Sequence, residues 1–430
     1  MTFGGHDYGY QIIQQLEEAF AEEFELVQHD LGAAEELVKQ KMQLLGQGLL
    51  QRLVDRHRNG YQGTSIACPC GGSMRMVQHR PKDIHTLFGM ITIKRAYYHC
   101  PHCGQSLVPY DLASGLGSEH ISPALAKACC LLAVDDSFEQ TSRKIEALTG
   151  QKVSDNTIER LAEHVGSVAM AQQSQSLQEF FERRQIPAAQ NHPETLYIAV
   201  DGTDAHEKDG WHEVKVGAIY WQEEHDKTDV SRFVASFENS ERFGWHLWLA
   251  ACRWGLRQAQ RVVYLGDAAG WIRTEHHRHF GRATFIIDWY HASEHVWGCG
   301  KVLFGEGTEA TKTWVEQRLS LLWDGWTKKF LDDLKQRGKR HRGGKRKAID
   351  SLYGYIGNNE EQMRYDVFRA KGYDIGSGAA EGACKHVVGK RLKQSGMIWS
   401  HLGSSSILAL RVTWLNEEWE PLWQKKPLAA

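Results

Sequence analysis

Proline is scarce and net charge nearly absent in this 430-residue chain, which has nine prolines and 51 Lys plus Arg against 53 Asp plus Glu, a formal charge of -2. Near-neutrality excludes a histone-like or wholly polyanion-coating protein, so any nucleic-acid surface has to be local. No apolar run approaches the roughly 20 residues that a membrane helix needs. Met1 to Tyr10 shows no basic stretch leading into an apolar one, so the expected location is the cytoplasm and no membrane partner is expected. Nine cysteines are too few to staple a chain of this length by disulfides, and an odd count leaves at least one unpaired. With 42% hydrophobic and 24% charged residues, the composition excludes the disordered and collagen-like classes. At about 150 residues per domain the length allows two or three domains.

What is present falls into blocks. Over residues 1–64, Ile12, Leu16, Phe20, Phe24 and Leu26 recur at helical spacing, and residues 1–60 carry ten acidic and five basic side chains, which reads as one or two amphipathic helices. Residues 65–112 lose helix formers and contain an alternating, strand-like stretch at 91–98. Residues 118–185 return to helical periodicity, and a linker follows around Pro187 and Pro193. From 194 to 430 three close-set strands (196–200, 211–221, 230–237) suggest an antiparallel meander. Helix (241–257), strand (262–265), helix (271–280) and strand (284–287) then suggest α/β wiring with a parallel half-sheet. A Trp-rich block at about 295–372 reads as all helical, and a last helical segment spans about 378–394. No internal repeat is found.

Four cysteines form two knots, Cys68-Pro69-Cys70-Gly71-Gly72 and Cys100-Pro101-His102-Cys103-Gly104. Two thiol pairs on two turns can close a tetrahedron around a structural Zn²⁺, and the glycines permit positive φ so that backbone amides point at thiolate sulfur. The first pair has one intervening residue where ribbons usually have two, so His99 and His102 are possible substitute ligands; buried free cysteines are the plain alternative. Four thiolates leave no open position for a catalytic water. Downstream, 138–149 and 153–161 read as two helices joined at Gly150, with Ser154 a natural N-cap. This is a helix-turn-helix pattern whose second helix would present Asn156, Thr157 and Arg160 to a DNA groove, or else an ordinary helical hairpin.

Asp201 follows the apolar run Tyr197-Ile198-Ala199-Val200, and Asp267 follows Val262-Val263-Tyr264-Leu265-Gly266. An acid at the carboxyl end of a buried strand sits where open α/β sheets place their chemistry, although a helix N-cap or turn is the usual reading for one such Asp alone. If the strands are neighbours, about 4.8 Å apart, the two carboxylates can share a divalent metal. The downstream candidate for a third acid is Glu381, set among the small residues of Gly376-Ser377-Gly378-Ala379-Ala380-Glu381-Gly382-Ala383, which let a helix lie close to the sheet. Ser377 is four residues before Glu381, one too many for a capping box. Lys385, Lys390, Arg391 and Lys393 follow on the same helical segment, a basic face suited to a polyanionic substrate. Three carboxylates holding two Mg²⁺ or Mn²⁺ ions can activate a water or a 3′ hydroxyl for attack on a phosphodiester. Residues 337–347 add seven Lys or Arg and no acid, among them Lys339, Arg340, Arg342, Lys345, Arg346 and Lys347, and read as a basic loop that tracks phosphates or a merely solvated one.

Several stretches together resemble the DDE transposases of bacterial insertion sequences, in particular the ISKra group, relatives of the Mutator-like transposases. They are Cys68-Pro69-Cys70-Gly71, Arg95-Ala96-Tyr97-Tyr98-His99-Cys100-Pro101, Val200-Asp201-Gly202-Thr203, Leu265-Gly266-Asp267-Ala268, Asp288-Trp289-Tyr290-His291 and Ile375-Gly376-Ser377-Gly378, the last running on through Glu381 and Cys384-Lys385. The likeness covers about residues 66–415. It implies an RNase H-like catalytic core with sheet order 3-2-1-4-5, Asp201, Asp267 and Glu381 as the acidic triad, and a helical insertion between Asp267 and Glu381, which stand 114 positions apart. Asp288 and His291 match an Asp-x-x-His signature, with a supporting role favoured over direct ligation. The function so implied is Mg²⁺-dependent cleavage at insertion-sequence ends and strand transfer into target DNA. The partners would be double-stranded DNA, as terminal inverted repeats and target, and a second copy of the chain, for which the acidic N-terminal helices are a candidate contact. The alternatives are an RNase H-like nuclease without strand transfer and a catalytically silent, transposase-derived DNA-binding protein.

Overall fold

A computed structural model of the chain describes residues 13–27, 29–57, 59–222, 229–376 and 378–429. Ile12 and Ser377, singled out in the sequence, lie outside them. The chain divides into two compact units, one built from residues up to 131, 138–161 and 426 onward, the other from 132–137 and 162–425. No described helix is long and apolar enough to cross a membrane.

In the first unit, α1 (Ala21–Val27) and α2 (Leu31–Asp55) precede a four-stranded antiparallel sheet of β1 (Ser65–Ala67), β2 (Ser73–Thr86), β3 (Gly89–His99) and β4 (Ser106–Leu107) in sequential order. Asp30 caps α2 by accepting from the Ala33 amide at 3.0 Å. Gln51 on α2 accepts from the Thr92 amide at 2.8 Å and donates to its carbonyl at 2.9 Å, so one side-chain amide satisfies both backbone groups of β3. Val54, Ile84, Ile91, Ile93 and Leu116 form the core beneath it. Helices α3 (Pro109–Ser114), α4 (Pro123–Ala133), α5 (Phe138–Thr149) and α6 (Asp155–Arg183) follow, and α4 and α6 run on into the residues of the second unit.

The second unit is organised by a five-stranded mixed sheet in the order β7-β6-β5-β8-β9. Strands β5 (Thr195–Glu207), β6 (Gly210–Gln222) and β7 (Asp229–Ser236) form the antiparallel meander, and β8 (Arg261–Gly266) and β9 (Thr284–Ile287) add in parallel to β5. Every residue from Leu196 to Val200 is buried, as a run covered on both faces requires. Helices α7 (Ser240–Arg253) and α8 (Gly270–His279) make the crossovers. The segment between β9 and residue 371 is helical, as expected: α9 (Trp289–Phe304), α10 (Glu309–Trp323), α11 (Thr327–Arg340), α12 (Gly343–Gly357) and α13 (Tyr365–Ala370). It is no detached appendage, because Phe330, Ile349, Ile356 and Tyr365 share one apolar core with the strands, and the Tyr365 hydroxyl donates to the Ile287 carbonyl at 3.0 Å. Next come α14 (Gly378–Ala383), a π-helical turn (Cys384–Gly389), α15 (Lys390–Leu392), α16 (His401–Leu415) and α17 (Trp419–Gln424).

Two departures from the sequence expectation bear on the candidate site. Asp201 does not end its strand, because β5 continues six residues to Glu207 in register with β6; only its pairing with β8 stops, at Ala199. The basic stretch 337–347 is no loop either. It comprises the end of α11, a two-residue joint at His341 and Arg342, and the start of α12 at Gly343, where φ is +61°. Cations in the last turn of α11 complement its dipole, whereas Lys345 and Arg346 in the first turn of α12 oppose that of their own helix.

Candidate active site and thiolate metal centre

Strand register decides where the acids fall. Ala199 pairs with Leu265 across β5 and β8, so two residues further on Asp201 stands level with Asp267. Gly266 pairs with Ile287 across β8 and β9, so one residue further on Asp288 stands level with Asp267. Three aspartates thus form a row across adjacent strands spaced about 4.8 Å apart.

Their side chains part company. The Asp201 carboxylate accepts from the Gly202 amide at 2.7 Å and from the Cys384 thiol at 3.6 Å. Burial pushes its pKa up, against the Gly202 amide and the charge of His291, and Asp267 adds to the rise. Asp267 accepts from the Ala269 amide at 2.7 Å. Asp288 is fully buried and caps α9 by accepting from the His291 amide at 2.8 Å. That cap fixes the first turn of α9 and with it His291, whose charge acts on both Asp201 and Glu381.

Glu381 lies on α14, which packs on β5 and β6. Small neighbours permit the approach: Ala380 and Ala383 are buried against the sheet side, while the Glu381 carboxylate is exposed and pairs with Lys385 at 2.7 Å. Lys385, and more weakly His291, hold its carboxyl below the usual range. Asp201, Asp267 and Glu381 are not among the described groups whose ligand atoms all lie within 4.8 Å of one another. The fold brings the two aspartates level and sets the glutamate on the covering helix, engaged by its own lysine. Cys384, to which the sequence alone assigns no role at the site, stands three positions after Glu381 with its thiol on Asp201; the one-turn spacing is the signal that could have found it.

Of the basic residues after Glu381, one is reassigned. Arg391 is fully buried, donates to the Ala133 carbonyl at 3.0 Å and to the Met397 sulfur at 3.2 Å, and lies 4.7 Å over the Trp399 ring. The π-helical turn just before it widens the helical repeat and swings Arg391 inward, so it is a packing residue and not a DNA contact. Lys390 stays outward on Asp135 at 2.8 Å, and Lys393 donates to Thr203 on β5. Arg391→Ala is expected to cost about 3 kcal/mol in urea unfolding, against less than about 1 kcal/mol for Lys390→Ala at its exposed pair. Equal costs would return Arg391 to the surface set.

In the first unit the two helices of the helix-turn-helix reading are present as α5 and α6, and Ser154 caps the second by accepting from the Thr157 amide at 3.2 Å. Asn156 and Arg160 are exposed, Arg160 resting on Glu119 at 3.1 and 3.3 Å. Along α11 and α12, Lys339, Arg340, Arg342, Lys345 and Lys347 are exposed, and Arg346 is tied to Asp350 at 2.7 Å and to the Gly338 carbonyl at 2.6 Å.

The four knot cysteines converge: Cys68 to Cys70 is 3.3 Å, Cys68 to Cys103 3.5 Å and Cys70 to Cys100 3.8 Å between sulfurs. Four thiolates at 2.3 Å from a tetrahedral ion stand about 3.75 Å apart, so the set fits such an ion despite the short first pair. Gly71 and Gly104 take φ of +83° and +75°, as the tight knuckles require. The Cys103 amide, helped by that of His102 against some desolvation, draws the Cys100 thiol down to about 6. His102 stands 3.9 Å from Cys70 as an outer neighbour, while His99 turns to Ser106 at 3.1 Å and takes no part. One further group, Glu207, Asp209 and His212, also brings its ligand atoms within 4.8 Å. Its Glu-x-Asp-x-x-His spacing carries no signal in sequence, because it becomes a cluster only when a hairpin turn at Lys208 and Asp209 folds His212 back beside Glu207.

Similarity to known proteins takes in the carboxylate site and the second of the two cysteine knots. Over 358 residues the chain is 24% identical to a protein of Streptococcus gallolyticus described as a UPF0236 protein in the vanSb 3′ region, a match spanning 78% of this chain and 73% of that protein. Residues 73–420 match the pattern of an uncharacterised protein family, a span that takes in Cys100, Cys103 and every acid of the strand row together with Glu381. On that match the chain belongs to the UPF0236 family.

Proposed function

We propose that this protein is a DDE transposase with an RNase H-like core, cleaving insertion-sequence ends and joining the 3′ hydroxyl to target DNA. The observation that carries the reading is the register that stands Asp201 level with Asp267 on neighbouring parallel strands. The sheet order, with three antiparallel strands followed by two parallel ones, and the packing of the Glu381 helix on β5 and β6 support it.

The donor set fits Mg²⁺ or Mn²⁺, since Asp201, Asp267 and Glu381 offer only carboxylate oxygens. Two such ions, when held there, supply nucleophile activation and stabilise the leaving oxygen of a phosphodiester. To join the aspartates the exposed Glu381 carboxylate would have to leave Lys385, which would free the ammonium for a phosphate. His291 stands in the first turn of α9 beside the same acids, and Lys393 marks the path along β5. The thiolate centre is assigned a structural Zn²⁺, and α5–α6 with the α11–α12 joint are the duplex-binding elements. Holding two element ends together calls for a homo-oligomer.

Incubating the full chain with terminal inverted-repeat DNA and Mg²⁺, and resolving nicked from joined products, tests this. Joined products support transposition, nicks alone favour the nuclease reading, and end-specific binding without cleavage in Mg²⁺ or Mn²⁺ favours the silent DNA-binding protein. For the α11–α12 joint, Lys345→Gln with Lys347→Gln should lower the slope of log affinity against log salt by about 1.8, two phosphate contacts at about 0.9 each. An unchanged slope would remove this joint from the DNA surface.

A further inference from the structure

The β5–β6 hairpin tip carries a second constellation that the transposase reading does not use. We propose that Glu207, Asp209 and His212 bind a divalent transition-metal cation of the Zn²⁺ class, with His401 and Ser404 orienting the Glu207 carboxylate.

The hairpin builds the site locally. Ala205 pairs with His212 and Glu207 with Gly210, so Glu207 and His212 share one face of the two-stranded ribbon, while His206 and Trp211 stack on the other with centroids 4.7 Å apart. Gly210 turns the chain at φ +136°, bringing Asp209 back over the Glu207 face. The His212 Nε2 then stands 2.9 Å from Asp209 Oδ1 and 3.9 Å from Glu207 Oε2. Nitrogen and oxygen ligands at 2.0–2.1 Å from a tetrahedral ion are about 3.3 Å apart, a value that lies between these two separations.

The independent observation is the state of Glu207. Its side chain is only 1% exposed, an expensive place for a carboxylate, yet it is positioned on purpose. His401 Nδ1 holds Oε2 at 3.0 Å, and the Ser404 hydroxyl donates to Oε1, both from the first turn of α16. The Trp399 strand bridge straps the turn from the other side, the Lys208 amide donating to the Trp399 carbonyl at 2.9 Å and the Trp399 amide to the His206 carbonyl at 3.1 Å. Metal-bound carboxylates are held by outer hydrogen bonds of this kind. Asp209 and His212 are 75% and 41% exposed, so water can complete the coordination. An imidazole among two carboxylates favours Zn²⁺ over Mg²⁺. The inference does not depend on the transposase reading.

Cobalt titration of the full chain, with Mg²⁺ in excess to hold the oxygen-only carboxylates, separates this site from the thiolate centre. The thiolates give intense sulfur-to-cobalt charge-transfer absorption; the hairpin site gives d–d absorption without it. The expected result is two equivalents, the second lost or weakened about 100-fold in His212→Asn and in Asp209→Asn, both exposed changes that leave the first equivalent in place. His401→Ala should weaken the second about tenfold. One equivalent in the wild type, or a second equivalent unaltered in both hairpin variants, overturns the site and leaves a plain Asp209–His212 ion pair. Unaltered affinity in His401→Ala overturns the orienting role.

Discussion

Asp201→Asn should abolish metal-dependent DNA cleavage, by about 10³-fold or more, and at the same time raise the thermal stability of the metal-free chain at neutral pH. Losing one of two shared carboxylates removes several kcal/mol of transition-state stabilisation, and about 4 kcal/mol corresponds to 10³ in rate. The stability effect has the opposite sign because burial pushes the Asp201 carboxyl above its ordinary range. A carboxyl with a raised folded pKa binds its proton more tightly in the folded chain. Its stabilising contribution is therefore complete below the unfolded value and is lost as pH climbs through the folded one. Asparagine keeps the neutral form at every pH and can still accept from the Gly202 amide, so the variant gains at pH 7 and the gain disappears in acid. Melting curves across pH, beside cleavage assays, check both halves. A variant that cleaves normally, or that is less stable at pH 7, contradicts this placement of Asp201.

Cys100→Ser, or a strong chelator, should release one metal equivalent and unravel the knot end of the first sheet, at a cost of several kcal/mol. The loss should be local. The knot end has its own small core of Cys68, Met74, Ala96, Tyr98 and Cys100, separate from the core of Val54, Ile84, Ile91, Ile93 and Leu116 at the other end of the same strands. Hydrogen exchange should accelerate in β1, β4 and residues 73–76 and 97–100, while 84–93 stays protected. Uniform loss of protection would make the thiolate centre the keystone of the whole unit, and unchanged exchange would deny it a bound metal.

Much of the fold was legible because apolar periodicity and burial coincide in it. Thr284–Ile287 is a short apolar run closed by Asp288 and emerges as β9 with those bounds. The same logic hid the outer half of β5, where Gly202-Thr203-Asp204-Ala205-His206-Glu207 looks like a loop because the hairpin projects beyond the twice-covered part of the sheet. The aspartates could be found from strand ends, but their alignment needed the register, which no single strand encodes. Arg391 misled because face assignment assumed an unbroken helical repeat, and one π-helical turn rotates everything after it. The basic stretch at 337–347 misled for a related reason, since its glycines signalled a loop where one of them opens α12. Glu207 was invisible because its partners, His401 and Ser404, lie almost two hundred positions away.

Electron paramagnetic resonance of the full chain loaded with Mn²⁺ on terminal-repeat DNA reads out whether Asp201, Asp267 and Glu381 close around a pair of divalent ions. Two ions bridged by shared carboxylates, about 3.5–4 Å apart, give a spin-coupled spectrum that isolated ions cannot. The account predicts coupled Mn²⁺ in the wild type and its collapse to uncoupled signal in Asp267→Asn and Glu381→Gln; uncoupled Mn²⁺ in the wild type, or coupling that survives both changes, would contradict it.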